Sequence, residues 1–316
     1  MATYYWTNYG EMPGQWEHQA NWSLSEGGSP APSYPGSGDT VIIPNGYGEI
    51  TSLSTAPEMT TQYVTIAKLI QNSSYGINPG YDPDTGYSIY MYITCDTALF
   101  QGYASYVAQR VTIWGGDCVF SGQNSINYGH VDGSQTIFSG AYSGNYGYVS
   151  GKCEFSGHQS RNSYGSLYGP ATFSGYGSSN NGNCDGYTTF NGSNSFNDSY
   201  GYLNAHATFR NYAYNLGNIN ADCSFIGGCV NQGTISNGSH CYFGYDSYNN
   251  INGTVNGIAT FGGSGSYNAG TINGVAVFSG SVLNTGTING SLLAFTPNLN
   301  PPAGTRYPLD VLGAGI

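Results

Sequence analysis

The chain has 316 residues, of which 7% are charged, against about a quarter in an ordinary soluble protein. Gly (49), Pro (13) and Tyr (30) are in excess, Lys plus Arg number only 6, and the formal charge is −11. This balance excludes a nucleic-acid binder, which needs a basic face, and a bundle of Leu-, Glu- and Lys-rich helices; with no run of about 18 apolar residues, a membrane span is not expected either.

Residues 1–50 hold three of the four tryptophans, Trp6, Trp16 and Trp22, then a turn-rich stretch from Gly27 to Gly38 and a short apolar strand at Val41. The amino terminus shows no basic segment leading into an apolar one, so no secretory signal peptide is expected. An irregular aromatic segment of this kind suits an amino-terminal cap over the first rung of a sheet. The series Tyr5-Trp6, Gln15-Trp16, Asn21-Trp22-Ser23, Gly27-Gly28 and Gly38-Asp39-Thr40-Val41 resembles the opening of phage virion and tail-fibre β-helix proteins. The resemblance covers residues 5–42. It implies a structural role in a virion or on an extracellular surface. It often goes with tail fibres and a trimer, and it does not imply an enzyme; the expected partners are copies of the same chain and other virion proteins, and no cofactor is expected.

Residues 51–115 read as irregular first coils, with strands at Val64-Thr65-Ile66, Ile89–Ile93 and Val111–Trp114 and an inserted loop over 76–86. From 116 to 295 a repeat takes over. Phe recurs at Phe120, Phe138, Phe155, Phe173, Phe190, Phe209, Phe225, Phe243, Phe261, Phe278 and Phe295, at a mean spacing of 17.5 residues. Between these positions runs Asn-x-Gly-x-Ile/Val, clearest at Asn127, Asn145, Asn268 and Asn284 and looser at Asn215 and Asn231. Within residues 276–290 the inward set Ala276, Phe278, Val282, Asn284 and Ile288 is all even-numbered. That is the strand period of two.

A unit of 17 to 18 residues cannot bury its apolar face alone, but stacked units can. The predicted fold is therefore all-β, a parallel β-solenoid (β-helix) rising about 4.8 Å per coil. Phe would stack on Phe, and Asn would form amide ladders at the corners. Gly two residues after Asn would supply a tight or left-handed corner. The position two before Phe is small throughout, and Cys118, Cys153, Cys223 and Cys241 occupy it as core residues. Residues 296–316 form a tail with an apolar end (Leu309, Val311, Leu312, Ile316), expected to cap the last coil or dock on a neighbour.

Chemistry is sparse. Asp132 and Asp185 fall in one outward column three coils apart, about 14 Å by strand spacing, too far for a glycosidase pair. His206 and His240 lie two coils apart, too far to share a metal. No catalytic or metal-binding residue is assigned. The outward residues are more telling: Tyr128 with His130, Tyr146 with Tyr148, Tyr164 with Tyr168, and Tyr200 with Tyr202. Later coils carry Thr234, Thr254, Thr271 and Thr287 instead. Tyrosine offers flat platforms and hydroxyls. The expected function is a non-enzymatic structural or adhesive particle component that binds host-surface polysaccharide through the tyrosine face. The alternatives are a self-assembling decoration or filament subunit, a polysaccharide-degrading tailspike, and an ice-binding solenoid.

Overall fold

The computed structural model describes residues 1–10, 14–48, 50–51, 61–74, 77–78, 90–279 and 282–294. Phe295, the tail 296–316 and most of the expected loop 76–86 lie outside the described residues. The chain forms two compact units, residues 1–169 and 170–316. Both are all-β parallel solenoids, together about 11 coils, and their one described helical turn is Gln19–Asn21.

In the first unit three parallel ladders run from coil to coil. The Phe ladder joins Thr3–Trp6, Thr40–Ile43, Lys68–Gln71, residues 97–100, residues 117–120, Gln135–Phe138 and Lys152–Phe155. The Asn ladder joins Tyr106–Val107, Ile126–Asn127, Gly144–Asn145 and residues 161–162. The Ile ladder joins Thr61–Thr65, residues 90–94, 111–115, His130–Gly133, Tyr148–Val149 and 166–167. Strands Tyr90–Phe100 and Val111–Phe120 each serve two ladders, which is why two sequence patterns run together there.

Alternation along each strand sends one side chain in and the next out. Phe100, Phe120, Phe138 and Phe155 are buried, and the first three steps of this column stack at 4.5, 4.7 and 4.8 Å with planes within 12°. Those spacings equal the coil rise, so the backbone ladder sets the stack. Trp6, Trp16 and Trp22 are fully buried and meet edge-to-face at 4.7–4.9 Å. Trp22 Nε1 donates to the Trp16 carbonyl at 2.6 Å.

The second unit repeats the plan. Phe173, Phe190, Phe209, Phe225, Phe243, Phe261 and Phe278 are buried and stack at 4.5–5.1 Å. Asn180, Asn197, Asn215, Asn231, Asn249, Asn268 and Asn284 form one chain of amides, each Nδ2 donating to the next Oδ1 at 2.7–2.9 Å. Leu203, Ile219, Ile235, Val255, Ile272 and Ile288 fill the third column.

Two sequence expectations need correction. Where Asn stands six positions after Phe, as from Phe209 to Asn215 and from Phe243 to Asn249, the buried Phe, Ala213 or Ser247, and Asn keep one parity, although Asn211, Tyr212 and Asp246 are left-handed. In the coils of Phe120, Phe138, Phe155 and Phe190 the step is seven positions, and the residue four after the Phe is left-handed: Asn124, Tyr142, Gln159 and Asn194, all at φ 53–59. The burial pattern accordingly shifts parity between Phe138 and Ser143. The corner glycines, by contrast, are not left-handed. A Cβ on Gly147 would lie 1.9 Å from the Gly129 carbonyl oxygen, and one on Gly286 2.1 Å from that of Gly270. Glycine is required there because successive backbones touch.

A buried serine column two residues before the Asn was missed. Ser125, Ser143 and Ser160 donate through Oγ to the carbonyls of Gly122, Gly140 and Gly157 at 2.7–2.9 Å. Ser178 and Ser266 do the same in the second unit. These bonds close the left-handed turn from inside, where water could not satisfy the carbonyl.

Candidate functional site

The columns place the seven sequence-selected tyrosines in different settings. In the first unit Tyr128 and Tyr146 follow the aligned Asn127 and Asn145, and their rings meet at 5.3 Å. Tyr106 adds an edge contact to Tyr128 at 6.3 Å. Arg161 donates to Tyr146 Oη at 3.0 Å and lies 5.9 Å from its ring centre. Burial, and secondarily Tyr146, raise the Tyr128 phenol above its ordinary value, while Arg161 pulls it down. This hydroxyl is therefore a proton donor throughout the neutral range.

Tyr128 and Tyr106 also line a cleft of about 340 Å³ with Asn78, Ala108, Gln109 and Arg110. The cleft is open and mixed in polarity, suited to a polar ligand lying on the surface. Tyr148 and Tyr168 are half exposed and parallel within 4°, 6.3 Å apart. They do not face each other across a rung, because Tyr148 pairs with Ser166. His130 packs its ring edge at 6.1 Å from Tyr148 and shares a hydrogen bond with Ser150 Oγ at 2.9 Å. Tyr164 stands apart on a left-handed residue at φ 60, 72% exposed.

In the second unit Tyr202 sits in the Ile ladder between Asn183 and Asn218. Tyr200 belongs to a turn inserted between Asn197 and Gly201. Their flanking rungs carry polar residues, so the platforms lie in the first unit. The second unit instead carries outward amide and hydroxyl chains. Asn220 donates to Asn204 at 2.8 Å and accepts from Ser236 at 2.7 Å, while Asn289 and Asn273 continue such a chain to Asn256. Thr234, Thr254, Thr271 and Thr287 do align on successive rungs.

The ladder residues selected from sequence all fall in register. Sequence reading passed over Asn162, Asn180, Asn197 and Asn249. Insertions of one or two residues before the following Gly disguise the motif at Asn162, Asn197 and Asn249, and Cys184 replaces Ile after Asn180. It also missed Tyr106, Arg110 and Arg161, whose signal was position: each lies within two residues of an Asn-ladder or Ile-ladder rung. His206, Asp222 and His240 precede Ala207, Cys223 and Cys241, which occupy consecutive rungs. The Asp222 carboxylate accepts from the backbone N–H of His240 at 2.7 Å, which gives it a structural task. No cluster of three potential metal ligands occurs among the described residues.

All seven cysteines are buried free thiols. Burial pushes Cys95 and Cys184 up to about 12, so both are protonated and poor nucleophiles at neutral pH. Cys223 and Cys241 face each other on adjacent rungs at 2.9 Å between sulfurs.

No family model, curated protein or solved structure matches the chain.

Proposed function

We propose that the protein is a non-enzymatic structural and adhesive component of a phage particle that binds neutral host-surface glycan through tyrosines of its first unit. The observation that carries this reading is two ring pairs at the surface, the half-buried Tyr128–Tyr146 and the more exposed Tyr148–Tyr168, mounted on a backbone fixed by three ladders. Rigid rings lose little conformational freedom on binding, so stacking energy is not spent on ordering them. The resemblance of residues 5–42 to phage β-helix proteins supports the particle context, and the excess of acids disfavours anionic glycans. Printed neutral and anionic glycans test the reading. Neutral glycans should retain the protein, and the Tyr146→Ala/Tyr148→Ala variant should lose them. Absence of binding, or binding unchanged in that variant, defeats it.

A second reading has its own observation. Ile42, Ile70, Leu99, Val119 and Ile137 form an outward, half-exposed aliphatic column on consecutive rungs of the Phe ladder. Folding a second copy over this column about Leu99 sets Ile70 on Val119 and Lys68 on Asp117, a self-complementary pattern. Self-association through this face is the form of assembly the chain favours. A concentration-independent monomer in light scattering, with no change in Leu99→Lys, eliminates it.

A further inference from the structure

A second aromatic group stands on the Ile ladder of the first unit. Tyr63 stacks on Tyr92 at 4.9 Å and 18°, and Trp114 packs over Tyr92 at 4.9 Å and 38°. Trp114 is 36% exposed and pairs with Asp132 on the next rung. Three rungs beyond Trp114 in the same outward column stands Tyr168, with only Asp132 and Ser150 between them. Trp114 also lies 6.4 Å from Tyr63 at 31°, so it clusters with both tyrosines while keeping part of its ring in solvent. Short side chains between two aromatic walls make a notch about 14 Å long by rung spacing. His130, bonded to Ser150, and Tyr148 close one side of it. The Asp132 carboxylate is exposed and has no hydrogen-bond partner among the described residues.

We propose that this notch is a saccharide subsite: a neutral pyranose lays its C–H face on Trp114 and donates hydroxyls to Asp132. The proposal rests on the adhesive reading above and gives it a second binding position. The chemistry selects the class. An aromatic face takes the apolar side of a sugar while a carboxylate takes its hydroxyls. The six rungs from Tyr63 to Tyr168 carry no Lys or Arg outward, so a uronate, sulfate or phosphate would meet Asp132 unopposed. A quaternary ammonium prefers aromatic faces within about 6 Å on several sides, and these walls stand too far apart for that. The half-buried stacks Phe196–Tyr214 and Tyr248–Tyr267 also differ, since their ring faces are spent on each other at 4.9 and 4.4 Å.

The tryptophans supply the assay. Trp6, Trp16 and Trp22 are fully buried, so acrylamide quenching of the native protein reads Trp114. Maltohexaose, cellohexaose, mannohexaose and N-acetylchitohexaose are the neutral probes; hexagalacturonate and choline are the controls. At least one neutral probe should protect Trp114 from acrylamide. Asp132→Ala should weaken that probe about tenfold, and Trp114→Ala should abolish its binding by calorimetry with the melting temperature retained. Protection by hexagalacturonate or choline alone overturns the proposal. So does neutral-glycan binding that survives Trp114→Ala and Asp132→Ala but is lost in Tyr128→Ala/Tyr146→Ala, an outcome that leaves the adhesive reading standing. Failure of every neutral probe to bind the wild-type protein overturns both.

Discussion

Asn231 makes four hydrogen bonds at zero exposure. Its Oδ1 accepts from Asn215 Nδ2 at 2.8 Å and from the Gly233 N–H at 3.3 Å. Its Nδ2 donates to Asn249 Oδ1 at 2.8 Å and to the Gly233 carbonyl at 3.2 Å. Asn231→Ala leaves the Asn215 donor without an acceptor and takes the donor from Asn249, both inside the coil where water does not reach. Each orphaned group costs about 1–3 kcal/mol, so the variant should lose about 2–6 kcal/mol. Asn220 provides the control, with bonds of the same length to Asn204 and Ser236 but in solvent. Water replaces its partners, and Asn220→Ala should stay within about 0.5 kcal/mol. Urea unfolding followed by circular dichroism measures both. Asn231→Asp adds a sign test. An ionised carboxylate there cannot donate to Asn249, so burial raises its folded-state pKa. The protonated form restores the donor, so this variant should approach wild type at pH 4 and fall away as pH rises to 7. Equal losses in Asn231→Ala and Asn220→Ala, or an Asn231→Asp variant indifferent to pH, would refute the argument that burial gives the ladder its strength.

Phe225→Ala opens a cavity in the stack between Phe209 and Phe243 and should cost about 3–5 kcal/mol by the same denaturation. Gly147→Ala should cost about 1–3 kcal/mol, because its Cβ meets the Gly129 carbonyl oxygen, whereas Gly36→Ala, with open space around it, should leave the midpoint unchanged. The seven thiols should resist Ellman's reagent at pH 8 in the native protein and all react in denaturant. For Cys95 and Cys184 the folded thiol titrates above the unfolded one, so their contribution to stability is whole below the ordinary value of 9.0 and is lost as pH rises towards about 12. A stability flat across that range contradicts their burial.

The fold was largely legible because a solenoid repeats its inward residues. Phe and Asn recur at a nearly constant spacing, and a column of identical residues survives small shifts in that spacing. What escaped was whatever depended on where the extra residues sit. The coil 276–290 sets Asn six positions after Phe, whereas the coils that carry the left-handed Asn124, Tyr142 and Gln159 set it seven, so the period read from that one coil does not carry over to them. Serine two residues before the Asn read as turn composition, although it is buried. The exposed tyrosines were harder still. Tyr164 and Tyr200 come from corner insertions, and insertions move a ring out of its column without altering its apparent periodicity. The triplets Tyr92-Ile93-Thr94 and Thr112-Ile113-Trp114 carry the pattern of the later Thr-Ile-Asn rungs. Strands Tyr90–Phe100 and Val111–Phe120 run through two ladders without a break, which hid that alignment and the Trp114 notch with it.

Neutral-glycan adhesion by the first unit is the central claim, and equilibrium binding of the intact protein to a panel of neutral oligosaccharides tests it most directly. Saturable binding to a neutral member, lost in the Tyr146→Ala/Tyr148→Ala variant at unchanged melting temperature, is the predicted result. A wild-type protein that binds none of the panel, or whose binding is untouched by removing those rings, contradicts it.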